Sequence, residues 1–317
     1  MQRIACSFTL GLVVLASAVA HAGSLDAPVV GGDVVPRGAF PDVVAVLGAT
    51  GGLCSGTLID ADLVLTAGHC IEMDPIEVIV GSVDLAKPDG EHRRVKWTRA
   101  YPDWINSYDV GIIMLENPVF AQPRAIAQGC ATRGRWKPGV PLHVIGFGLT
   151  TRAGTGDNTR LRQATVPLVD GTCTSDAACQ PSIAPGGELI AGGTGTDACF
   201  GDSGGPLMIQ TARGAALIGV VSRGIATWGD PCGDGGVYVR ADKVVTWIQN
   251  VSNRKLQRLA CDEPADQAGT AEPAGGCNAA VVQSGFTLYH ALLVVFGLRR
   301  ARRRRRDRSR RDQTACK

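Results

Sequence analysis

Three segments of the chain carry residues whose types fit one chemistry. A serine hydroxyl is a weak nucleophile and needs a base of near-neutral pKa to take its proton, which an imidazole provides. The imidazole in turn needs a buried carboxylate to fix its tautomer and stabilise its protonated form. Residues 63–70 (LVLTAGHC) are an apolar run that ends by delivering His69. Residues 108–115 (YDVGIIML) bring Asp109 into the start of a second hydrophobic run, and residues 197–206 (DACFGDSGGP) hold Ser203 in a glycine-dense turn. The glycines let the backbone amides of Gly201 and Ser203 point at one spot, as an oxyanion hole requires. Gly201-x-Ser203-x-Gly205 also matches the strand-to-helix elbow of α/β-hydrolases, but there the chain order is Ser, acid, His. Here the order is His, Asp, Ser, and the Leu207-Met208-Ile209 that follows reads as a strand.

These side chains need a rigid frame. From 29 to 238, short apolar runs such as 43–47, 140–147 and 217–221 alternate with Gly, Pro, Asn and Asp clusters, the pattern of many short antiparallel strands. Residues 241–259, with Val244, Val245, Trp247, Ile248 and Val251 on about one face, read as a closing helix. A chain of 317 residues that is 45% hydrophobic and 19% charged, with 41 glycines and 17 prolines, is not disordered, coiled-coil or collagen-like.

From Val29 to about Leu259 the chain closely resembles the trypsin-like (chymotrypsin-fold) serine peptidases, with TAGHC and GDSGGP in this order as the specific marks. The resemblance implies an all-β fold of two packed six-stranded antiparallel β-barrels with a C-terminal helix. His69 and Asp109 would come from the first barrel and Ser203 from the second. It implies a serine endopeptidase acting through a catalytic triad and an acyl-enzyme, without cofactor or metal. The calcium loop of vertebrate trypsins is not evident, because Ser82 stands where its first acidic ligand would be.

In the family the residue six before the nucleophile, here Asp197, lies at the base of the specificity pocket. Gly224 and Gly236 match its walls, so the implied substrates are polypeptides with Arg or Lys before the scissile bond. Ser222 matches a serine that hydrogen-bonds the catalytic aspartate. Val29-Val30-Gly31-Gly32 resembles the mature N-terminus, whose freed α-amino group pairs with the acid before the nucleophile, here Asp202. Three departures stand out. Pro28, not Lys or Arg, precedes that cut, which suggests trimming of residues 23–28 by dipeptides. Arg223 replaces an aromatic residue, and either turns the neighbouring subsite toward acidic side chains or is a solvated charge. Gly68 and Gly111 replace alanines beside the histidine and aspartate. The competing readings are a catalytically silent binding module on this fold, and a serine peptidase of different specificity.

Eleven cysteines argue for disulfides in an oxidising compartment. The paired short spacings of a zinc site are missing. Setting aside Cys6, Cys277 and Cys316 leaves eight. The resemblance implies Cys54–Cys70 and Cys199–Cys232; Cys173 and Cys179 can close locally, which leaves Cys130–Cys261.

The ends read as targeting. Residues 1–22 form a secretory signal with a small-x-small site at Ala20-His21-Ala22. A short propeptide (23–28), the peptidase domain (29–261) and an acidic Pro/Gly linker (262–276) follow. Gly276-Cys277, an uncharged stretch at 279–298 and the arginine block beyond it resemble the C-terminal sorting signals of myxobacterial surface proteins, which are cut near the Gly-Cys pair. A hydrophobic C-terminal anchor segment and Cys277 are thus expected to engage the export and sorting machinery, leaving the enzyme surface-anchored or secreted. Residues 299–317 hold ten arginines and Lys317 against Asp307 and Asp312, a local charge of +9, within a chain whose net charge is only +3. Such a run can bind nucleic acid, but an exported chain seldom meets any, and none is expected as partner.

Overall fold

The computed structural model describes residues 28–226 and 229–259. The signal segment, the propeptide up to residue 27, Cys261, the linker and the C-terminal segment with Cys277 lie outside the described residues.

Six strands close the first barrel: β2 (Val43–Gly48), β3 (Leu53–Asp60), β4 (Leu63–Thr66), β5 (Pro75–Val80), β6 (Glu91–Ala100) and β7 (Gly111–Leu115), paired in the order β2-β3-β4-β7-β6-β5. In the second, β9 (Pro141–Gly146), β10 (Arg162–Asp170), β11 (Glu188–Ala191), β14 (Gly236–Arg240), β13 (Gly214–Gly224) and β12 (Pro206–Thr211) pair in that order, and β12 returns to β9. Both barrels are antiparallel throughout. Short β1 (Asp33–Val34) lies along β10.

Strands such as 43–46 (VVAV) are apolar at every position because both of their faces are covered. Val44 and Val46 join Leu58, Val64, Val78 and Ile113 inside the first barrel. The alternate residues Val43 and Ala45 pack instead with Ile145, Phe147 and Met208 of the second barrel, so one strand serves two cores. Strand β6 alternates between half-buried and exposed positions because nothing covers its outer face.

The C-terminal helix, α1 (Ala241–Ser252), buries Val244, Val245 and Ile248 against Leu63, Leu65, Ile112 and Val239, bridging the two barrels. It is shorter than the expected 241–259. Asn253 adopts a left-handed conformation (φ 54°) and Ser252 Oγ donates back to the Ile248 carbonyl at 2.7 Å, which ends the helix. The chain then extends, and β15 (Arg258–Leu259) pairs with β8 (Ile126–Ala127). Val251, expected on the packed face, is exposed. Among the described residues no helix is long and apolar enough to cross a membrane.

Candidate active site

Strands β4 and β7 are antiparallel neighbours with Thr66 opposite Gly111. The residues just after β4 and just before β7 therefore emerge at the same barrel end. The chain leaves β4 into a single helical turn, Gly68–Ile71, which carries His69, while Asp109 directly precedes β7. His69 Nδ1 lies 2.9 Å from Asp109 Oδ2, and the His69 amide donates to Oδ1 at 3.0 Å. Ser222 Oγ donates to Asp109 Oδ2 at 2.7 Å. Burial pushes the Asp109 carboxyl up, but the hydrogen bonds and charge of His69 and the bond from Ser222 outweigh it, and the carboxyl is held below its ordinary value.

The two departures beside these residues have a steric reason. A Cβ on Gly68 would sit 2.8 Å from Cβ and Cγ of Trp104, and one on Gly111 would sit 2.4 Å from Cγ1 of Ile71. Larger neighbours occupy the room that alanine methyls would take.

Ser203 belongs to the loop before β12, which is tied across to the first barrel. The Ser55 amide donates to the Ser203 carbonyl at 2.9 Å and Ser55 Oγ to the Gly201 carbonyl at 2.8 Å, while the Gly204 amide, donating to the Val221 carbonyl of β13 at 2.8 Å, holds the loop to its own barrel. His69 and Ser203 thus line one cleft of about 500 Å³. Gly201 is at φ +100°, and a Cβ there would meet the Phe147 carbonyl oxygen at 2.8 Å, so only glycine fits. Among the described residues no backbone carbonyl accepts from the amides of Gly201 or Ser203.

Gly224, Gly236, Ala198 and the bonded Cys199–Cys232 pair line the other end of the cleft. Asp197 directly precedes the lining residue Ala198 but is not itself among the lining residues, and is 1% exposed. It accepts from the amides of Ala198 (2.8 Å) and Gly235 (2.6 Å), with Tyr238 buried alongside, and burial pushes its carboxyl up to about 7. Asp202, 0% exposed, accepts from the amides of Gly148 (2.8 Å) and Cys199 (2.9 Å), and burial likewise pushes it up to about 7.

Val29 is buried in the second barrel's core at φ +44°, a costly conformation for a β-branched residue. The Val30 carbonyl accepts the Asp197 amide at 2.9 Å, which ties the segment beginning at Val29 to the loop that carries Asp197.

Arg223 has a partner that neither of its two expected roles includes. It lies between the cleft and a pocket roofed by residues 177–181, and its guanidinium forms a two-pronged pair with Glu188 at 2.8 and 2.9 Å. Glu188 is 1% exposed and gave no signal as a site residue beyond being a carboxylate at the head of an apolar strand. The Arg223 charge is thus paired with a buried carboxylate, while about a third of its side chain stays exposed. Leu53, Met73 and Phe200 also line the cleft, though no pattern in the sequence marks them.

The disulfides Cys54–Cys70, Cys173–Cys179 and Cys199–Cys232 are formed. Cys130 is disulfide-bonded, while its expected partner Cys261 lies outside the described residues. Cys54, His69 and Cys70 approach one another closely, but the two sulfurs are bonded to each other and are not free to hold a metal.

The comparisons with known proteins agree with this architecture. The family model described as Trypsin matches residues 29–248. Serine protease 56 of mouse is 31% identical over 70% of this chain and 38% of its own length. Chymotrypsin-like elastase family member 1 of dog is 29% identical over 71% of this chain and 93% of its own, and coagulation factor XII of pig 30% identical over 70% and 39%. The chain thus spans well under half of the mouse and pig relatives and nearly all of the dog one. With a match over most of its length and two barrels around one cleft, this chain belongs to the trypsin family of serine endopeptidases.

Proposed function

We propose that the protein is an exported serine endopeptidase that cleaves polypeptides after Arg or Lys. The observation that carries the reading is the hydrogen-bonded row Ser222–Asp109–His69 opening onto the cleft that Ser203 lines. In this mechanism His69 takes the Ser203 proton as the oxygen attacks the scissile carbonyl, and Asp109 holds the resulting imidazolium. The amides of Gly201 and Ser203 stabilise the oxyanion, a contribution of roughly 100- to 1,000-fold per donor. His69 then passes the proton to the leaving amine, and water releases the acyl group by the same steps in reverse.

Asp197 supplies the preference. It is buried next to the cleft-lining Ala198 with two amides and, among the described residues, no cation, a setting in which an arriving guanidinium or ammonium offsets the cost of ionising it. Asp202 takes the α-amino group freed by a cut before Val29, which makes the uncut chain a poorly active precursor. The N-terminal signal, the linker and the sorting segment with Cys277 belong to the same proposal as the route to the cell surface.

The test is turnover by the protein processed to begin at Val29, on peptides that differ only in Arg, Lys, Phe or Ala before the scissile bond, beside Ser203→Ala. The expected result is preference for Arg and Lys, abolished in Ser203→Ala. Absence of turnover by the unaltered protein would favour a silent binding module, and preference for Phe or Ala would remove the role of Asp197.

A further inference from the structure

We propose that Arg223 is a positioning residue for the catalytic carboxylate, acting through Ser222 and held in place by Glu188; this rests on the peptidase reading above. A guanidinium has five N–H donors. Those of Arg223 make five bonds: Nε and Nη2 to the Ala178 carbonyl at 2.9 and 2.6 Å, Nη1 and Nη2 to the Glu188 carboxylate at 2.8 and 2.9 Å, and Nη1 to Ser222 Oγ at 2.9 Å. No donor remains for a substrate.

The bond to Ser222 has a directional consequence. A hydroxyl has one proton to give. With Arg223 donating into its oxygen, Ser222 directs that proton at Asp109 Oδ2, 2.7 Å away. Asp109 Oδ2 is the oxygen that faces His69 Nδ1. Arg223, Ser222, Asp109 and His69 therefore form one row of hydrogen bonds, and each member fixes the orientation of the next. Where the family carries an aromatic residue to touch substrate, this chain has a cation bonded to Ser222 and Glu188.

Glu188 makes the device possible. An arginine here without a partner would turn to solvent, but Glu188, at the start of β11, is anchored by the Gln180 amide at 2.7 Å and meets both prongs of the guanidinium. The same guanidinium grips residue 178, between Cys173 and Cys179 in sequence, and that loop reaches the first barrel through Gln180 Nε2 on the Ile105 carbonyl (2.9 Å) and Ser182 Oγ on the Asn106 carbonyl. The pair thus links the disulfide loop to the Asp109 side of the cleft.

The experiment compares Arg223→Gln, Arg223→Lys and the neutral pair Arg223→Gln/Glu188→Gln, each with Ser222 intact and in a Ser222→Ala background. In the unaltered background Arg223→Gln should lower kcat about tenfold, the factor carried by one hydrogen bond's net worth, with KM unchanged. Lysine, which can still donate to Ser222, should restore part of the loss. In the Ser222→Ala background the same substitution should change kcat by less than about twofold, since the path is already cut. Equal losses in both backgrounds, or an effect confined to KM or to selectivity for acidic upstream residues, would overturn the proposal. The neutral pair leaves no unpaired buried carboxylate and keeps the test alive if Arg223→Gln alone does not fold.

A readout without turnover separates this idea from the peptidase reading. In Ser203→Ala, the NMR resonance of the His69 Nδ1 proton should move on Arg223→Gln when Ser222 is present, and stay put when it is alanine. A resonance that ignores Arg223 in both backgrounds sinks the proposal, whatever the protein hydrolyses.

Discussion

Asp109 on one side of the cleft, and Asp197 with Asp202 on the other, are all buried, yet their carboxyls move in opposite directions. The difference lies in what faces them. Asp109 meets an imidazole, a hydroxyl and an amide, and these outweigh the cost of burial. Asp197 and Asp202 each accept from two backbone amides and, among the described residues, have no cation beside them, so burial prevails. Glu188, just as deeply buried, has its cation in Arg223. One part of the cleft is complete in the uncut chain. The other has two carboxylates bonded to backbone amides, which under the proposed function would meet the Val29 amine and the substrate side chain.

The sharpest way to break the completed side is Asp109→Asn, which keeps the shape and offers the imidazole the wrong partner. A fall in kcat of about ten-thousandfold is expected by steady-state kinetics. A loss smaller than about tenfold would mean that the row of hydrogen bonds does not serve the chemistry.

On the waiting side, Asp202→Asn in the protein begun at Val29 removes the partner of the freed amine. Breaking a buried pair of about 3 to 5 kcal/mol should lower kcat/KM by roughly a hundredfold to a few thousandfold. The loss should be equal for all peptides, since the disordered loop is common to them. Asp197→Ser should be selective instead. Turnover of Arg peptides should drop by roughly 30- to 3,000-fold, the worth of one buried charge partner, while Ala peptides are unchanged. A uniform loss in Asp197→Ser would erase the distinction between the two acids.

The remaining effect is on stability. A carboxyl raised from 3.8 to about 7 keeps its proton in the fold at a pH where the unfolded chain has released it. The folded state then binds more protons, and stability falls as pH rises from about 4 through about 7. Urea unfolding of the uncut Ser203→Ala protein across that window should show the decline. The form begun at Val29 should show less of it, because Asp202 gains a cation and can ionise in place. A flat profile for the uncut protein would contradict the buried, unpaired state of both acids.

Much of the site was legible because its chemistry is local. TAGHC, the aspartate entering GIIML and GDSGGP each bring their own turn or strand, so His69, Asp109 and Ser203 could be singled out and the all-β class with them. Periodicity misjudged the helix end because a left-handed Asn253 is a single-residue event that hydrophobic spacing does not register. The pairing of Arg223 escapes the sequence for a related reason. Its partner Glu188 is 35 residues away in sequence and is brought beside it by β11, β14 and β13 lying in succession, a relation no window along the chain contains.

By itself, then, the sequence determined which residues could act, their order along the chain, and the short apolar runs that become strands. Those depend on residue type and on neighbours a few positions away. Only the tertiary structure decided which buried charges are satisfied, because burial and hydrogen-bond partners come from strands that meet across two barrels. That is why the pairing of Asp109 with His69 and of Glu188 with Arg223, and the lack of a cation beside Asp197 and Asp202 among the described residues, emerge only from the fold.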